Sequence, residues 1–388
     1  MIWPVLAAIG GTVLGYTWVA YPAGMALRAR WRGKDVAAGP WKGRAVALMS
    51  ARGEGARVAA KVRELAESAR TEGLSGVRVG LDGGTEEEAR ALRAELEGVA
   101  EASGCAVEVR AVPGGGGKSA VLAELMREGG AEAWVMVDVR QRVEPGAVRA
   151  LLECLADATV GAASGEMRFG EAGNAQAKGA DSYWSYEKRL REAESRVWAV
   201  PGATGALYAV RAADTEPPPP GVVLDDVWIP MRAVLRGKRC LFVRGAVAWD
   251  VPETDSARER ARKRRTNAGN WQMIGLEPAL LAPWRNPAWG VYWSHKVLRL
   301  LTPFAAALLY AGLAGAAWSA GWRGPWTWIW AAATAGAAAS AVAYGVAGRV
   351  KSRWTGLLGA AWGMTWCLLG AAWDACRGKY RGAWKSKG

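Results

Sequence analysis

Short apolar runs alternate with helical patterns along the first part of the chain. Four of these runs are AVALMS (residues 45–50), VRVGL (77–81), VEVRAV (107–112) and AWVMVD (133–138). After the first run, apolar residues recur at helical spacing at Val58, Val62 and Leu65. Short apolar runs predict buried strands, and a period of 3.6 residues predicts helices that cover them. Strands that alternate with helices predict an α/β fold with a Rossmann-like, mostly parallel sheet.

The pattern changes after the fourth run. Residues 163–169 predict another strand, and Asp181–Arg196 form an amphipathic pattern rich in charges and aromatic rings. The segment VPGATGALYAVR (200–211) predicts a glycine-rich turn that enters a strand, and Asp225 and Asp226 then stand at a helix start. Acidic residues in a first helical turn often serve only the helix dipole, so a structural and a chemical role both stay open for this pair.

Long uncharged runs lie at both ends of the chain. Residues 2–27 are long enough to span a bilayer, and further runs lie at about 301–319, 326–347 and 356–373. No basic segment precedes the first run and RARWRGK follows it, which predicts a retained anchor instead of a cleaved signal. The Lys/Arg excess after this run predicts that residues 28–300 are cytoplasmic. The basic C-terminal tail conflicts with this topology if all three C-terminal runs cross the membrane.

The net charge of +14 does not predict a nucleic-acid-binding protein. Much of the excess lies next to the apolar runs, where it fits the positive-inside rule and lipid headgroups, and the sequence has no nucleic-acid-binding module. The five cysteines lack ligand spacing, and the single histidine, His295, excludes a multi-histidine metal site. We interpret His295 as part of an interfacial helix that mixes tryptophans, a tyrosine and cations.

Polar residues follow the predicted strands, at the edge where open α/β sheets bind ligands. They are Glu54, Asp82, Lys118 and Asp138. Lys118 ends a glycine-rich loop, PGGGGK, whose spacing does not match a P-loop, so we interpret it as a cation carried toward a phosphate. Asp138 either caps the next helix or binds a ligand. The basic segment Arg258–Arg265 is either a solvated or membrane-surface face or a clamp on a diphosphate.

Several short motifs occur in an order that is typical of one enzyme family. Asp82-Gly83-Gly84 follows the second strand, Gly116-Gly117-Lys118 precedes the next helix, and Asp138-Val139-Arg140 follows the fourth strand. GATGALY (202–208), Asp225-Asp226 and RKRRT (262–266) come later in the chain. With its flanking apolar runs, the chain from Val46 to Gln272 resembles the membrane-bound family-2 glycosyltransferases of the GT-A fold, the group of the hyaluronan, cellulose and poly-N-acetylglucosamine synthases.

The resemblance implies a role for each of these motifs. A nucleotide-diphosphate sugar, with a UDP-sugar as the first expectation, would be bound by Glu54, Asp82, Lys118, Asp138, Arg140, Arg262 and Arg265. Asp226 would be the catalytic base, with Asp225 beside it. The turn at Gly202, Thr204 and Gly205 would face the acceptor. Four positions depart from the family's motifs: Gly53, Glu86, Arg140 and Thr266.

The resemblance also implies a divalent cofactor, Mg²⁺ or Mn²⁺, on Asp138. Arg140 replaces the second acid of the family's Asp-x-Asp motif. Either the ion is held by Asp138 and the diphosphate oxygens alone, or Arg140 itself contacts the diphosphate.

We therefore expect a membrane-bound inverting glycosyltransferase of the hexosyl type. It would transfer a sugar to a lipid-linked or polysaccharide acceptor during cell-envelope polysaccharide biosynthesis, as a multi-pass protein of the inner or plasma membrane with a cytoplasmic catalytic domain. The alternative is a catalytically silent GT-A domain that serves as a binding or scaffold subunit of an envelope-polysaccharide complex. The expected division is a transmembrane anchor (1–27), the GT-A domain (28–275), an interfacial segment (276–300), C-terminal transmembrane helices (301–373) and a basic tail (374–388).

Overall fold

A computed structural model describes residues 2–114, 116–170, 175–251, 255–346 and 353–380. Within these ranges, an α/β domain is preceded and followed along the chain by long apolar helices. Residues 347–352, which lie between the last two predicted C-terminal runs, and the end of the basic tail, 381–388, lie outside the described residues.

The described strands form one eight-stranded sheet in the order β3-β2-β1-β4-β7-β6-β8-β5. The strands are β1 (Ala45–Ala51), β2 (Gly76–Asp82), β3 (Ala106–Val112), β4 (Ala133–Val137), β5 (Arg142–Val143), β6 (Val160–Phe169), β7 (Leu207–Arg211) and β8 (Arg239–Asp250). The first four strands are parallel to one another, as the alternation of strands and helices predicts. The second half is mixed, because β7 runs antiparallel to both β4 and β6 while β6 is parallel to β8.

Helices cover both faces of the sheet, and further helices precede and follow it along the chain. They are α1 (Ile2–Gly15), α2 (Tyr21–Arg32), α3 (Gly55–Glu72), α4 (Glu86–Ser103), α5 (Lys118–Arg127), α6 (Ala147–Leu155), α7 (Ala175–Val197), α8 (Asp225–Leu235), α9 (Ser256–Leu276), α10 (Trp289–Tyr292), α11 (Leu298–Ser319), α12 (Pro325–Val346) and α13 (Arg353–Cys376). π-Helical turns at Tyr16–Ala20 and Trp293–Val297 join α1 to α2 and α10 to α11, and Ala212–Asp214 and Pro278–Leu281 are 3₁₀ turns.

The central strands are buried on both faces, so their sequences are continuously apolar. In β1, Val46 and Leu48 enter one core, which α5, α7 and α8 cover. Ala47 and Met49 enter the other core, which α3, α4 and α6 cover. This alternation follows from the period of two in a strand, and burial on both faces is typical of parallel sheets.

Local chemistry explains where α4 begins. The Thr85 hydroxyl accepts from the Glu88 N–H, and the Glu88 carboxylate accepts from the Thr85 N–H. This reciprocal capping box satisfies two backbone donors that have no partner inside a helix. The first turn therefore starts directly after β2, and Asp82 stays at the strand end.

Among the described residues, three helical segments are long and apolar enough to cross a membrane: Ile2–Arg32, Trp289–Ser319 and Pro325–Val346. The first two pack closely through glycines. A Cβ at Gly10 would lie 2.5 Å from the Ala305 carbonyl oxygen, and a Cβ at Gly312 would lie 2.3 Å from the Ala7 nitrogen. Small residues that allow such close backbone approach are typical of helix pairs in lipid.

The apolar run predicted at 356–373 lies within α13, which is not one of these three segments. It packs against α12 and also against α9 of the α/β domain. Arg264 of α9 donates two hydrogen bonds to the buried Asp374 carboxylate, at 2.6 and 2.7 Å. Gln272 donates to the Tyr380 carbonyl at 3.2 Å. The end of the described chain is therefore attached to the helix that carries the basic segment.

Candidate active site at the sheet edge

The strand-end residues predicted from the sequence meet at one edge of the sheet. Asp82 is buried at the end of β2, where its Oδ1 accepts from the Gly117 N–H at 3.2 Å and its Oδ2 lies 3.6 Å from Arg52. Glu54 lies at the N-terminus of α3, half-buried, with Arg57 at 3.9 Å. Both carboxylates therefore border the loops that follow the parallel strands.

Lys118 reaches from the first residue of α5 toward the other half of the sheet. Its Nζ donates to the Gly205 carbonyl at 3.2 Å and lies 3.4 Å from Asp225 Oδ2. Burial alone would lower the pKa of Lys118. Three carboxylates outweigh this effect and raise the pKa: Asp225, Asp138 and Asp226. Lys118 is therefore charged and joins the two halves of the site.

Asp138 follows β4, and its N–H donates to the Ala206 carbonyl at 3.1 Å. Its carboxylate is partly exposed, at 28%, and lies 3.9 Å from the more exposed Arg140 guanidinium. No group of three or more His, Cys, Asp or Glu residues that could hold a metal occurs among the described residues. A divalent ion would thus receive one carboxylate here and would need oxygens from a bound ligand, which is a common arrangement for Mg²⁺ with substrate phosphates.

The turn before β7 is held by hydrogen bonds to its backbone. The Ala203 N–H donates to the Asp226 carbonyl at 2.7 Å, and the Thr204 N–H donates to Ser164 Oγ at 2.9 Å. Gly202 has a φ of +131°, which side-chain-bearing residues rarely adopt. A Cβ at Gly205 would lie 2.9 Å from Asp226 Oδ2. The glycines let this turn lie directly against the Asp226 carboxylate.

Asp225 and Asp226 occupy the first turn of α8 with different surroundings. Asp225 is buried, accepts from the Tyr208 hydroxyl at 3.3 Å and is paired with Lys118. Burial and the Asp225 and Asp226 carboxylates raise the pKa of Tyr208 well above its usual range, so its hydroxyl remains a donor. Asp225 therefore acts as a fixed structural acceptor, and Asp226 is the half-buried member that faces the turn.

The pKa of Asp226 makes it suitable as a base. Burial and the neighbouring Asp225 carboxylate raise this pKa to about 6. Three cations oppose the shift: Lys118, Lys296 and Arg265. A general base is most effective when its pKa lies near the working pH, and Asp226 is mostly ionised at neutral pH.

Two arginines of the basic segment of α9, Arg262 and Arg265, differ in their distance from the site. Arg265 is half-buried near Asp226, Asp225 and Arg140, and burial lowers its pKa. Arg262, one turn earlier, is exposed and donates to Glu259 at 2.8 and 3.0 Å. The structure thus brings Arg265 to the carboxylates and leaves Arg262 on a solvated face.

Sequence reasoning did not single out four residues around the turn and Asp226: Ser164, Arg191, Tyr208 and Lys296. Arg191 donates to Ser164 Oγ at 3.1 Å and to the Gly202 carbonyl at 2.9 Å. Lys296 belongs to a candidate membrane span, yet its charge is one of those that oppose the rise in the pKa of Asp226. A lysine inside a mostly apolar helix is a signal that the sequence contains.

The structure is similar over nearly its full length to that of a mannosyltransferase, PcManGT from Pyrobaculum calidifontis, in complex with GDP-Man and Mn²⁺. The identity is 20%, the match covers 96% of this chain and 99% of that chain, and the TM-score is 0.64. The chain has the GT-A fold. Its mixed Rossmann-like sheet and flanking apolar helices confirm the predicted fold class.

Two further structures are less similar. GalNAc-T7 with UDP, GalNAc and Mn²⁺ is 13% identical over 58% of this chain and 48% of that chain, with a TM-score of 0.41. Mannosyl-3-phosphoglycerate synthase from Rubrobacter xylanophilus is 14% identical over 66% of this chain and 78% of that chain, with a TM-score of 0.37. No protein-family model and no curated protein sequence matches the chain.

Proposed function

We propose that the chain is a membrane-bound inverting glycosyltransferase that uses a nucleotide-diphosphate sugar as donor. The observation that carries this proposal is Asp226, a carboxylate with a pKa of about 6 that lies between a glycine-rich turn and the cations Lys118 and Arg265. In a GT-A fold, this edge of the sheet is where an open α/β sheet binds its ligand. The hexosyl type and the membrane-associated acceptor belong to the same proposal.

On the donor side, the residues at the strand ends would bind the nucleotide and its diphosphate. Asp82, buried at the end of β2, would accept from the nucleobase, while Lys118 and Arg265 would contact the phosphates. Glu54, Asp138 and Arg140 complete the proposed donor contacts. The diphosphate leaves as an anion, so fixed cations at the place where its charge develops would stabilise the transition state.

On the acceptor side, Asp226 would take the proton from the acceptor hydroxyl. The acceptor oxygen then forms a bond to the anomeric carbon, and the bond from that carbon to the diphosphate oxygen breaks with its electron pair going to the nucleotide diphosphate. General base catalysis of this kind typically contributes about 10²–10⁴-fold. One direct displacement predicts inversion at the anomeric carbon. Gly202, Thr204 and Gly205 would form the wall that faces the acceptor.

A divalent ion, Mg²⁺ or Mn²⁺, would fit with Asp138 as its one protein carboxylate and with diphosphate oxygens as further ligands. When bound, it would neutralise charge on the leaving diphosphate. The alternative interpretation follows from the 3.9 Å separation of Arg140 and Asp138, in which the guanidinium itself contacts the diphosphate. We expect chelation to weaken donor binding in the first case and to have little effect in the second.

The ion pair between Arg140 and Asp138 also favours a second candidate function, a silent GT-A subunit that binds or scaffolds without catalysis. The deciding experiment measures turnover of a panel of UDP- and GDP-sugars by the detergent-purified full chain, with Mn²⁺, with Mg²⁺ and with a chelator. We include GDP-mannose because the P. calidifontis structure contains GDP-Man. Turnover of one donor supports the enzyme, whereas no turnover together with no nucleotide binding by calorimetry would refute it.

The matched variants are Asp226→Asn and Asp214→Asn. Asp214 follows β7 at the opposite edge of the sheet from the turn, so its substitution should leave turnover unchanged. Turnover that survives Asp226→Asn would refute the assignment of the base. Retention of activity in the chelator would support direct contact of Arg140 with the diphosphate.

A further inference from the structure

The helical segment Trp289–Ser319 contains a π-helical turn, Trp293–Val297, about one turn after its start. Single π turns inside α-helices often occur at functional sites. Here the turn places three successive polar residues in different environments. The Ser294 hydroxyl lies 2.9 Å from the Tyr16 hydroxyl of the first membrane segment, and His295 contacts two buried carboxylates.

His295 fixes this turn against α7. Its Nδ1 lies 2.8 Å from Glu194 Oε1, and its Nε2 lies 2.8 Å from Glu187 Oε1. Arg299, one turn later, donates to Glu187 Oε2 at 2.8 Å. Tyr21 of α2 donates to Glu194 at 2.6 Å. Both buried glutamates therefore have partners, and the turn cannot rotate without breaking these bonds.

Arg191 lies between Glu187 and Glu194 on the same face of α7, because residues at these spacings are neighbours along a helix. Glu187 and Glu194 contact the π-helical turn. Arg191 donates to Ser164 Oγ and to the Gly202 carbonyl, both in contact with or part of the turn before β7. Its Nε is buried without a hydrogen-bond partner in the described part of the chain. One face of α7 thus connects the membrane segment to the turn beside Asp226.

Lys296, the residue after His295, is half-buried and makes no hydrogen bond or ion pair with any described residue. The charges that act on it most strongly are those of Asp226 and Arg191, followed by Glu187 and Arg299. Glu187 is already paired with His295 and Arg299. Lys296 and Arg191 are therefore two cations near Asp226, and Lys296 forms no ion pair with a carboxylate of the described chain.

We propose that Lys296 and Arg191 form an anion-binding subsite that holds a phosphate group of the acceptor beside Asp226. This inference rests on the proposed function, since it names the class of its acceptor. A neutral acceptor would leave two half-buried cations adjacent to each other, whereas a phosphate accepts charge-assisted hydrogen bonds from both. The subsite binds and orients, and the bonds made and broken are those of the proposed transfer.

The position of Lys296 indicates an amphiphilic acceptor. Lys296 lies about two turns from the first residue of a helix that is long enough to cross a membrane. A phosphate held there would lie near the end of the membrane segment, where a lipid phosphate also lies, so an apolar tail attached to it could remain in the bilayer. A lipid phosphate or diphosphate has both a phosphate group for the subsite and an apolar tail for the bilayer.

The test measures binding to the detergent-purified full chain by calorimetry, with dodecyl phosphate, dodecanol, inorganic phosphate and UDP as separate probes. We expect dodecyl phosphate to bind more tightly than dodecanol and inorganic phosphate. Loss of one charge-assisted contact typically weakens binding by about tenfold or more. Lys296→Gln should therefore weaken dodecyl phosphate binding at least tenfold relative to UDP binding, and Lys296→Arg should retain most of it.

The control variant is Lys34→Gln, which removes a lysine that lies 4.5 Å from the Trp198 ring and not at the site. Three outcomes would overturn the proposal: equal binding of dodecyl phosphate and dodecanol, unchanged binding by Lys296→Gln, or a parallel loss of UDP affinity. Tighter binding of inorganic phosphate than of dodecyl phosphate would contradict the lipid source. Because binding is measured without turnover, a failure of the proposed enzymatic function would be seen separately in the donor panel.

Discussion

The cations around Asp226 come from two regions that differ in how their charges are neutralised. At the strand ends, Lys118 donates to Gly205 and is paired with Asp225. At the membrane helix, Lys296 has no ion pair with a described residue, although His295 and Arg299 of the same helix are paired with glutamates. Paired charges maintain the shape of a site. An unpaired cation beside a base marks the place where a ligand can bind.

The largest effect is expected at Asp226, which the two regions share. Asp226→Asn should lower turnover by about 10²–10⁴-fold. The pKa of Asp226 is raised on folding, so its ionisation destabilises the folded protein as pH rises from about 4. The variant should therefore melt at a higher temperature than wild type at pH 7.5, and at nearly the same temperature at pH 4, as measured by tryptophan fluorescence. Equal melting at pH 7.5 would contradict the raised pKa.

The membrane side is tested by His295→Ala. Burial alone would raise the pKa of Glu187, but the charges of His295 and Arg299 outweigh it and hold this pKa well below the usual range. Removing one partner from a buried charge pair typically costs about 3 kcal/mol or more. We expect a corresponding fall in the free energy of unfolding in detergent. Asn267→Ala, on an outward position of α9, is the control. An unchanged stability of His295→Ala would show that the network does not hold the π-helical turn in place.

The strand-end side is tested by Lys118→Met. The Lys118 charge lowers the pKa of Asp226, so its removal should raise that pKa above about 6. The acid limb of the kcat profile should then move to higher pH, and turnover at pH 6 should fall more than at pH 8. Lys118→Arg, which keeps the charge, should leave the limb near its original position. A profile that does not move in Lys118→Met would show that the Lys118 charge does not influence the pKa of Asp226.

The smallest contrast lies within α9. Arg265→Ala should weaken nucleotide-sugar binding by about tenfold, because Arg265 is half-buried beside the site carboxylates and a charged hydrogen bond is lost. Arg262→Ala should change binding less than twofold, because Arg262 is exposed and paired with Glu259. Calorimetric titration with the donor identified in the panel measures both. Equal losses in the two variants would indicate that the whole segment acts as a clamp.

The strand-end side was predictable from the sequence, because the strands and the polar residues that follow them depend on local patterns. Apolar runs identified β1 to β4, and the polar residues after them included Asp82, Lys118 and Asp138. The antiparallel insertion of β7 between β4 and β6 was not predictable, because nothing in LYAVR specifies the direction in which it pairs. The role of Asp226 at this edge remains a prediction, as do those of the other site residues.

The membrane side depends on contacts between distant parts of the chain. Glu187 and His295 are separated by 108 positions, and no local period relates them. The sequence placed His295 in an interfacial helix, but its two buried carboxylate partners become visible only when α7 packs against the π-helical turn. The proximity of Lys296 to Asp226 likewise follows only from this packing. The exposure of Arg262 beside the half-buried Arg265 likewise follows from the packing of α9 and not from its composition.

The attachment of α13 to α9 has a consequence for preparing the protein. A fragment that ends before Arg353 would retain all eight described strands and every strand-end residue proposed here to bind the donor. It would lose Asp374, whose carboxylate anchors Arg264, the residue directly before Arg265. We expect such a truncated chain to keep an intact sheet and to bind the proposed nucleotide-sugar donor less tightly. Tags and fusions that leave the last helix intact are therefore the safer choice for functional work.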